Sequence, residues 1–367
     1  MIIRTPAYTK QFRCLGGACP DTCCRDWSIV LDGPALEDYK TAPEPLRTAL
    51  SDALTVDEDG DICFRLRPDG FCALLTGDGL CPIQRDWGAE HLCGHCAAYP
   101  RFTEEYGILS ETVLAISCPE AARLLMDAAS FALVEQNDGK PSQLLEGVDG
   151  ALLTALERSR AAVLKLLSAP GQPLWSRLRR MIGYADSLQD MLDLGLFAPM
   201  AQCAPPPSDP EPGGNRQIFT ARLMELCAGL EPLRPSWPAA LLSGSTVLLS
   251  MKQQDYRTQC AAFEAACPAW AAHLERLACY LVFRHWHKAV NDDGLYGRAA
   301  LIGAVCLLIY HLCLLEWIHA GVLTQSGEIA IWSAFSREIE HLDENLTDLI
   351  EAMFDDQSWP VLSVLHQ

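Results

Sequence analysis

The sequence predicts a mainly α-helical protein in which a loop-rich N-terminal cysteine metal module packs on a helical C-terminal domain. Three observations point there. Ten of the 17 cysteines fall within the first 118 residues, at positions 14, 19, 23, 24, 63, 72, 81, 93, 96 and 118. The same stretch is crowded with turn signals, at Gly16-Gly17, Asp59-Gly60-Asp61, Pro68-Asp69-Gly70 and Gly77-Asp78-Gly79, whose residues favour turn geometry over helix or strand. From Pro119 onward the texture changes, and apolar residues recur three and four apart, the spacing of one helix face.

Taken in order, short helices are expected at Gly33–Tyr39, at Glu44–Leu54 and after Pro82. Pro119 then opens a helix in which proline occupies the first position and Glu120 the first turn. Further helices are expected at Leu144–Leu167 and Leu174–Leu194. Cys203 to Asn215 holds five prolines and two glycines, which neither helix nor strand accommodates, so it is expected to be an exposed loop or linker. Helices resume at Gln217–Leu230, Tyr256–Ala266, Ala269–Asn291, Leu295–Ala320 and Ser326–Phe354. The chain thus divides into a cysteine module (1–125), a helical region (126–202), the Pro/Gly-rich stretch (203–216) and a helical C-terminal domain (217–367). No internal repeat, long alternating strand pattern or Rossmann-type glycine fingerprint is present.

A net charge of −19 argues against a nucleic-acid partner, since phosphate binding needs clustered Lys and Arg. An acidic body instead attracts basic surfaces, including exposed lysines of a protein substrate. The opening Met1-Ile2-Ile3-Arg4-Thr5-Pro6 lacks the basic and long apolar regions of a secretory signal, so a cytoplasmic location is expected. In a reducing compartment, structural disulfides do not account for this many cysteines. Ala299–Leu315 imitates a membrane span, but it is slightly short, carries His311 and ends at Glu316. A core helix is the expectation.

The densest chemistry is Cys14-Leu-Gly-Gly-Ala-Cys19-Pro-Asp-Thr-Cys23-Cys24-Arg-Asp-Trp27, four thiols in eleven residues. Flexible turns let several sulfurs converge, and thiolates are soft ligands for zinc or iron–sulfur clusters. Cys72, Cys81, the Cys93-x2-Cys96 pair and Cys118 follow. Paired C-x2-C knuckles mark structural zinc, and only Cys93 and Cys96 have that form, with His91 or His95 as a neighbouring donor. The irregular spacing of the others suits a cluster, so zinc and iron–sulfur both stand. Cys19-x3-Cys23 begins the three-cysteine loop of radical S-adenosylmethionine enzymes, but Asp26 stands where the third cysteine is required. The seven later cysteines sit in apolar helical surroundings and are expected to be small buried hydrophobes.

Tyr8-x3-Phe12-x-Cys14-x4-Cys19-x3-Cys23-Cys24-x2-Trp27-x-Ile29 resembles the opening of the bacterial flagellin lysine N-methylases, part of a wider group with a cysteine-rich zinc- or iron-chelating domain. The likeness continues through Gly70–Leu75, Gly79–Gln84, Cys96–Arg101 and Ser117–Arg123. Near the other end, Ser336-Arg337-Glu338-Ile339-Glu340-His341 is similar to the family's C-terminal helix. It is specific over 8–123 and weaker, though collinear, beyond. The resemblance implies an S-adenosylmethionine-dependent protein lysine N-methyltransferase acting on flagellin or another lysine-bearing protein. It also implies a [4Fe-4S] cluster held by the N-terminal cysteines. Eight positions match family cysteines: Cys14, Cys19, Cys23, Cys24, Cys72, Cys81, Cys96 and Cys118. Cys93 stands where the family carries serine, and Cys63 has no counterpart.

Methylation requires a neutral amine, whereas a lysine side chain ordinarily titrates near 10.4. The active site must therefore desolvate the ammonium or place a base beside it. Candidate groups are Tyr99, Glu120 and Asp26, each beside a cysteine motif; a satisfied core hydroxyl, a first-turn helix charge and a solvated carboxylate are their respective structural roles. Arg101 can serve a sulfur or a carboxylate, and Trp27 is expected to shield the centre by packing. Glu338 and His341 have a metal-binding spacing seen in di-iron bundles, but a single copy points to a polar network instead. His285 and His287 lie on different helix faces. The alternative function is a non-catalytic iron–sulfur electron-transfer protein or a zinc-binding adaptor.

Overall fold

A computed structural model describes residues 1–207, 213–355 and 357–365. Part of the expected linker, 208–212, lies outside the described residues. The chain is mainly α-helical, as its periodicity predicts, but it also carries two small sheets. The strands are β1 (Ile2–Pro6), β2 (Ile29–Val30), β3 (Leu54–Val56), β4 (Ile62–Phe64), β5 (Arg101–Glu105), β6 (Leu109–Leu114) and β7 (Leu133–Asn137).

The larger sheet runs β5-β6-β1-β7. The β5–β6 hairpin pairs Thr103 with Thr112, β1 lies parallel to β6 with Ile3 opposite Ser110, and β7 returns antiparallel to β1. Its strands are five or six residues long, too short for an alternating pattern to stand out from the turns around them. The smaller sheet, β2-β4-β3, sits inside the cysteine module and places Cys63 opposite Val30 and Thr55.

Two apolar clusters organise the molecule. One lies wholly in the module, around Leu31, Tyr39, Leu50, Phe64, Ile83 and Cys93. The other joins Tyr8, the larger sheet and the helix Pro119–Asp127 to all the later helices. The first third of the chain therefore has its own small core, while its terminal strand and its last strands belong to the helical body.

The helices start where their caps predict. The Asp32 carboxylate accepts from Ala35 N at 2.9 Å at the head of Gly33–Tyr39, and Asp149 accepts from Ala151 and Leu152 N at the head of Gly150–Leu167, which begins six residues later than expected. Such caps satisfy otherwise unpaired N–H groups. Leu295–Ala320 runs through the centre of the body. Among the described residues it alone is long and apolar enough to cross a membrane, and 83% of its most apolar window is buried within the fold. That is the core helix predicted.

Two expectations need correction. Ser236–Ser250 is a helix that serine, glycine and threonine disguise; it forms because Gly244 admits Met224 and Leu315 to within 3.2 and 3.0 Å of where a Cβ would stand. The long helix expected over Ser326–Phe354 is three pieces: Gln325–Phe335, a π turn at Ser336–Glu340, and Asp343–Phe354. π bulges re-aim side chains at functional positions, and this one carries Arg337, Glu338 and Glu340.

Candidate metal centre

The cysteine loops fold back on each other through glycine. Gly79, at φ +75°, faces Gly17, and a Cβ on Gly17 would lie 2.4 Å from the Asp78 carbonyl oxygen. The close approach brings the Cys14–Cys19 loop against the turn that leads into Cys81. Cys14, Cys19, Cys23, Cys24, Cys81, Cys96 and Cys118 line one cavity of about 470 Å³, together with Phe12, Arg13, Tyr99, Arg101 and Glu120. Cys72 stands beside it, buried, with its backbone N–H donating to the Cys24 carbonyl at 2.9 Å. The structure thus gathers seven of the eight matched thiols on a common space and puts the eighth beside its wall. Cys63 is buried in the small sheet and does not line the cavity.

The thiols are not equivalent. Cys23 and Cys24 interact directly, which draws Cys24 down to about 7 and pushes Cys23 well above the ordinary thiol range. Cys96 and Cys93 form a second pair, in which Cys93 falls to about 6 and Cys96 rises. Burial pushes Cys72 and Cys118 up to about 11, opposed by backbone N–H groups of Leu74 and Leu75 for the first and Ala121 and Glu120 for the second. Burial also raises Cys81 and Cys19. Each pair thus offers one thiolate near neutral pH, while burial disfavours ionisation of Cys72, Cys81, Cys118 and Cys19, opposed at Cys19 by the nearby Arg337.

All 17 cysteines are free thiols. Among the described residues no group of three or more His, Cys, Asp or Glu side chains stands at metal-binding spacing, so the sulfurs ring a cavity without converging on a point. The donor set is nonetheless the soft, thiolate-rich kind that iron–sulfur clusters and zinc use, and the cavity is of ordinary ligand-site size, roughly 300–1,000 Å³.

The first cysteine loop is anchored by the far end of the chain. Arg337, 1% exposed, donates through Nε to the Ser117 carbonyl at 3.2 Å and through Nη2 to the carbonyls of Asp21 and Thr22 at 2.9 and 3.2 Å. Its guanidinium lies 4.8 Å from the Trp27 ring centroid, and its Nη1 has no partner among the described residues. Glu338, raised by burial, accepts from Leu233 N and Arg234 N at 2.7 and 3.1 Å. Arg234 in turn pairs with Asp21 at 2.9 Å and with Asp26. The cysteine loop is therefore held by arginines more than 200 positions away.

Tyr99 is nearly buried in the cavity wall. Its hydroxyl bonds the Ser117 hydroxyl at 3.1 Å, which meets His341 Nε2 at 2.7 Å. Burial, then the charge of Arg284, lowers His341 to about 4, so it is neutral near pH 7. Glu120 also lines the cavity, but both its oxygens take Arg123, at 2.8 and 2.7 Å. Asp26 has φ +72°, pairs with Arg234 and does not line the cavity. Arg101 and Arg13 line it with no carboxylate partner among the described residues; Arg101 stacks 5.6 Å from the Phe12 centroid. Trp27 packs on Tyr99 and His341 and donates from Nε1 to the Cys23 carbonyl at 2.6 Å, the packing role expected of it.

Glu338 and His341 thus share a network without forming a ligand pair. His285 and His287 do face apart. His285 Nε2 meets Glu340 and His287 Nδ1 meets Glu111, each at 3.2 Å. Sequence reasoning missed Arg234, Asp21 and the relay residue Ser117. Only the likeness of Ser336–His341 to a family motif hinted at the contact.

Residues 207–366 match the FliB lysine N-methylase C-terminal domain family, a span that includes Arg234, Arg337, Glu338 and His341. Over 141 residues the chain is 31% identical to a lysine-N-methylase of Salmonella typhimurium, covering 36% of this chain and 35% of that protein. A lysine-N-methylase of Salmonella choleraesuis matches to the same extent. The flagellar biosynthetic protein FliU of Salmonella muenchen is also 31% identical over 141 residues, which span 83% of its length. The matched stretch covers only about a third of the lysine-N-methylases. No solved structure matches the chain. With its cysteine loop anchored by arginines of the matched C-terminal domain, the chain belongs to the FliB lysine N-methylase family.

Proposed function

We propose that this chain is a cytoplasmic S-adenosylmethionine-dependent protein lysine N-methyltransferase acting on flagellin, and that its activity depends on a [4Fe-4S] cluster in the cysteine cavity. The observation that carries the reading is the convergence of Cys14, Cys19, Cys23, Cys24, Cys81, Cys96 and Cys118 on one cavity whose first loop is anchored by arginines of the family's C-terminal domain. Four of these thiols would hold the cluster, and Cys24, drawn down by Cys23, is the one most readily ionised among them. Such a cluster supplies an electron-transfer or Lewis-acid centre. S-adenosylmethionine supplies an electrophilic methyl group on sulfur.

The larger sheet is mixed and has no parallel strand–turn–helix with a glycine-rich loop, so a Rossmann cofactor site is not built here. The cavity itself has the size for the cofactor, and Arg13 and Arg101 are cations suited to a carboxylate. The chain's own part in the chemistry is proton management. A lysine ammonium entering the cavity meets the Tyr99 hydroxyl, and Tyr99–Ser117–His341 forms a hydrogen-bonded path to a neutral imidazole. Desolvation drives the proton off to water as the ammonium enters, since an imidazole held near 4 is too weak a base to take it, and Tyr99, fixed by that path, orients the nucleophilic amine lone pair.

The test is to incubate anaerobic protein with methyl-labelled S-adenosylmethionine and flagellin and to map methyl-lysine by mass spectrometry. Methylation by the holo form and none by the metal-stripped form is the expected result. Full activity without metal would remove the cluster from the reaction. No transfer with an intact centre would favour electron transfer or an adaptor role.

A further inference from the structure

A second cavity lies in the helical body, apart from the N-terminal cysteine cavity. It measures about 220 Å³ and is lined by Phe263, Trp270 and Tyr310 together with His273 and Glu328. The rings come from three helices, Gln253–Ala266, Trp270–His285 and Leu295–Ala320. Tyr310 stands nearly perpendicular to both neighbours: its centroid is 5.4 Å from Phe263 at 83° and 5.3 Å from Trp270 at 71°. Three aromatic rings set at right angles form a corner, and ring faces carry the negative side of the aromatic quadrupole.

Glu328 is the carboxylate in the lining, beside His273, Gln325 and the thiols of Cys267 and Cys313, and Glu264 stands behind the wall. Glu328, 8% exposed, takes His273 Nδ1 at 2.9 and 3.0 Å. Glu264 accepts from the Tyr310 hydroxyl at 2.9 Å, which makes that ring more electron-rich. The aromatic wall already attracts a cation from within the protein: the Arg216 guanidinium sits 5.1 Å from the centroids of both Trp175 and Tyr310. Phe263 and Trp270 hold no cation among the described residues. A small pocket with electron-rich rings and a nearby acid has the chemistry that binds alkylammonium heads.

We infer that this pocket binds an alkylammonium group, best in its N-methylated form, and so reads a methyl-lysine away from the cysteine cavity. The pocket's chemistry stands alone; only the source of its ligand, a methylated substrate lysine, rests on the methylase reading above. Methyl groups spread the charge and weaken hydration, so the methylated head enters an aromatic corner more readily than a bare ammonium. Binding at a second site would keep a partly methylated substrate on the protein.

Calorimetric titration of the full chain, without S-adenosylmethionine, tests this. The probes are N-acetyl-lysine amide in its four methylation states, the carbon isostere with a tert-butyl head, and choline. The trimethyl form should bind about 10-fold more tightly than its isostere, the weight of one desolvated cation–π contact. Trp270→Leu should abolish that preference with native circular dichroism, and Glu328→Gln should weaken it several-fold while keeping shape. Tyr99→Phe should lose methyl transfer and keep this binding, which separates failure of one site from failure of the other. Equal binding of cation and isostere, or wild-type binding by Trp270→Leu, would overturn the proposal. Choline binding more tightly than every lysine form would overturn the lysine assignment.

Discussion

At the scale of single residues, position in the fold separates the 17 cysteines, and it does so testably. Cys24 sits in the cavity and is drawn down to about 7 by Cys23, whereas Cys306 lies fully buried inside the central helix. We predict that Cys24→Ser lowers bound metal sharply while Cys306→Ala leaves metal content unchanged; equal loss in both would dissolve the distinction. Gly17→Ala would drive a Cβ into the Asp78 carbonyl and should also lower metal content without altering the helical signal. Much of this was legible in the sequence, because the turns that gather Cys14, Cys19 and Cys81 are local and announce themselves as Gly and Asp. The clamps were not. Arg234 meets Asp21 across 213 positions and Arg337 meets the same residue's carbonyl across 316, and no local pattern encodes contacts that only the completed fold creates.

Among elements, the strongest ties are buried charges. Glu111 on β6 binds Arg160 on the helix Gly150–Leu167, Arg4 on β1 at 2.7 Å and His287. Burial would raise its carboxyl, but Arg160 and His287 hold it well below the ordinary range. Glu111→Gln leaves buried Arg160 without a carboxylate among the described residues, while Arg4 keeps Glu135 and Glu157, and should cost about 3–5 kcal/mol of stability, read from denaturant unfolding; a loss under about 1 kcal/mol would show the network to be slack. The buried histidines predict a pH response. Burial lowers His285 and His287 to about 4 from an ordinary value of 6.5. Each donates from one ring nitrogen and leaves the other bare, so a second proton would have no acceptor. Between roughly pH 4 and 6.5 the unfolded chain binds more protons than the folded one, so stability is full above about 6.5 and falls as pH drops toward 4. Glu340, raised by burial but held to about 2 by Arg284 and His285, stays ionised across that window. A flat unfolding midpoint from pH 7 to 4.5 would contradict this. The strands escaped the sequence because they are too short to show an alternating pattern, and the π turn because its charges are satisfied by partners far away in the chain.

Across the whole molecule, the helical body does two things for the cysteine module. It lends the module's first strand a sheet and a core, and it ties the cysteine loop down through Arg234 and Arg337 at Asp21. Arg234→Met should therefore speed proteolytic cutting within 14–27 while the helices persist; unchanged cutting would mean the ion pairs to Asp21 and Asp26 carry no weight. A net charge of −19 also predicts that methylation of exposed lysines slows as salt rises, since at about 0.15 M ionic strength charges are screened beyond roughly 8 Å. Helix content and the central core helix were readable from periodicity, because they depend on composition along one segment. The union of module and body was not, because it depends on pairs. The claim on which the rest stands is that the thiol cavity holds an iron–sulfur centre. Anaerobic purification followed by iron, acid-labile sulfide and zinc analysis tests it directly. The account predicts a brown protein with iron and sulfide in equal amounts, both lost in Cys24→Ser. A colourless protein carrying stoichiometric zinc would contradict it.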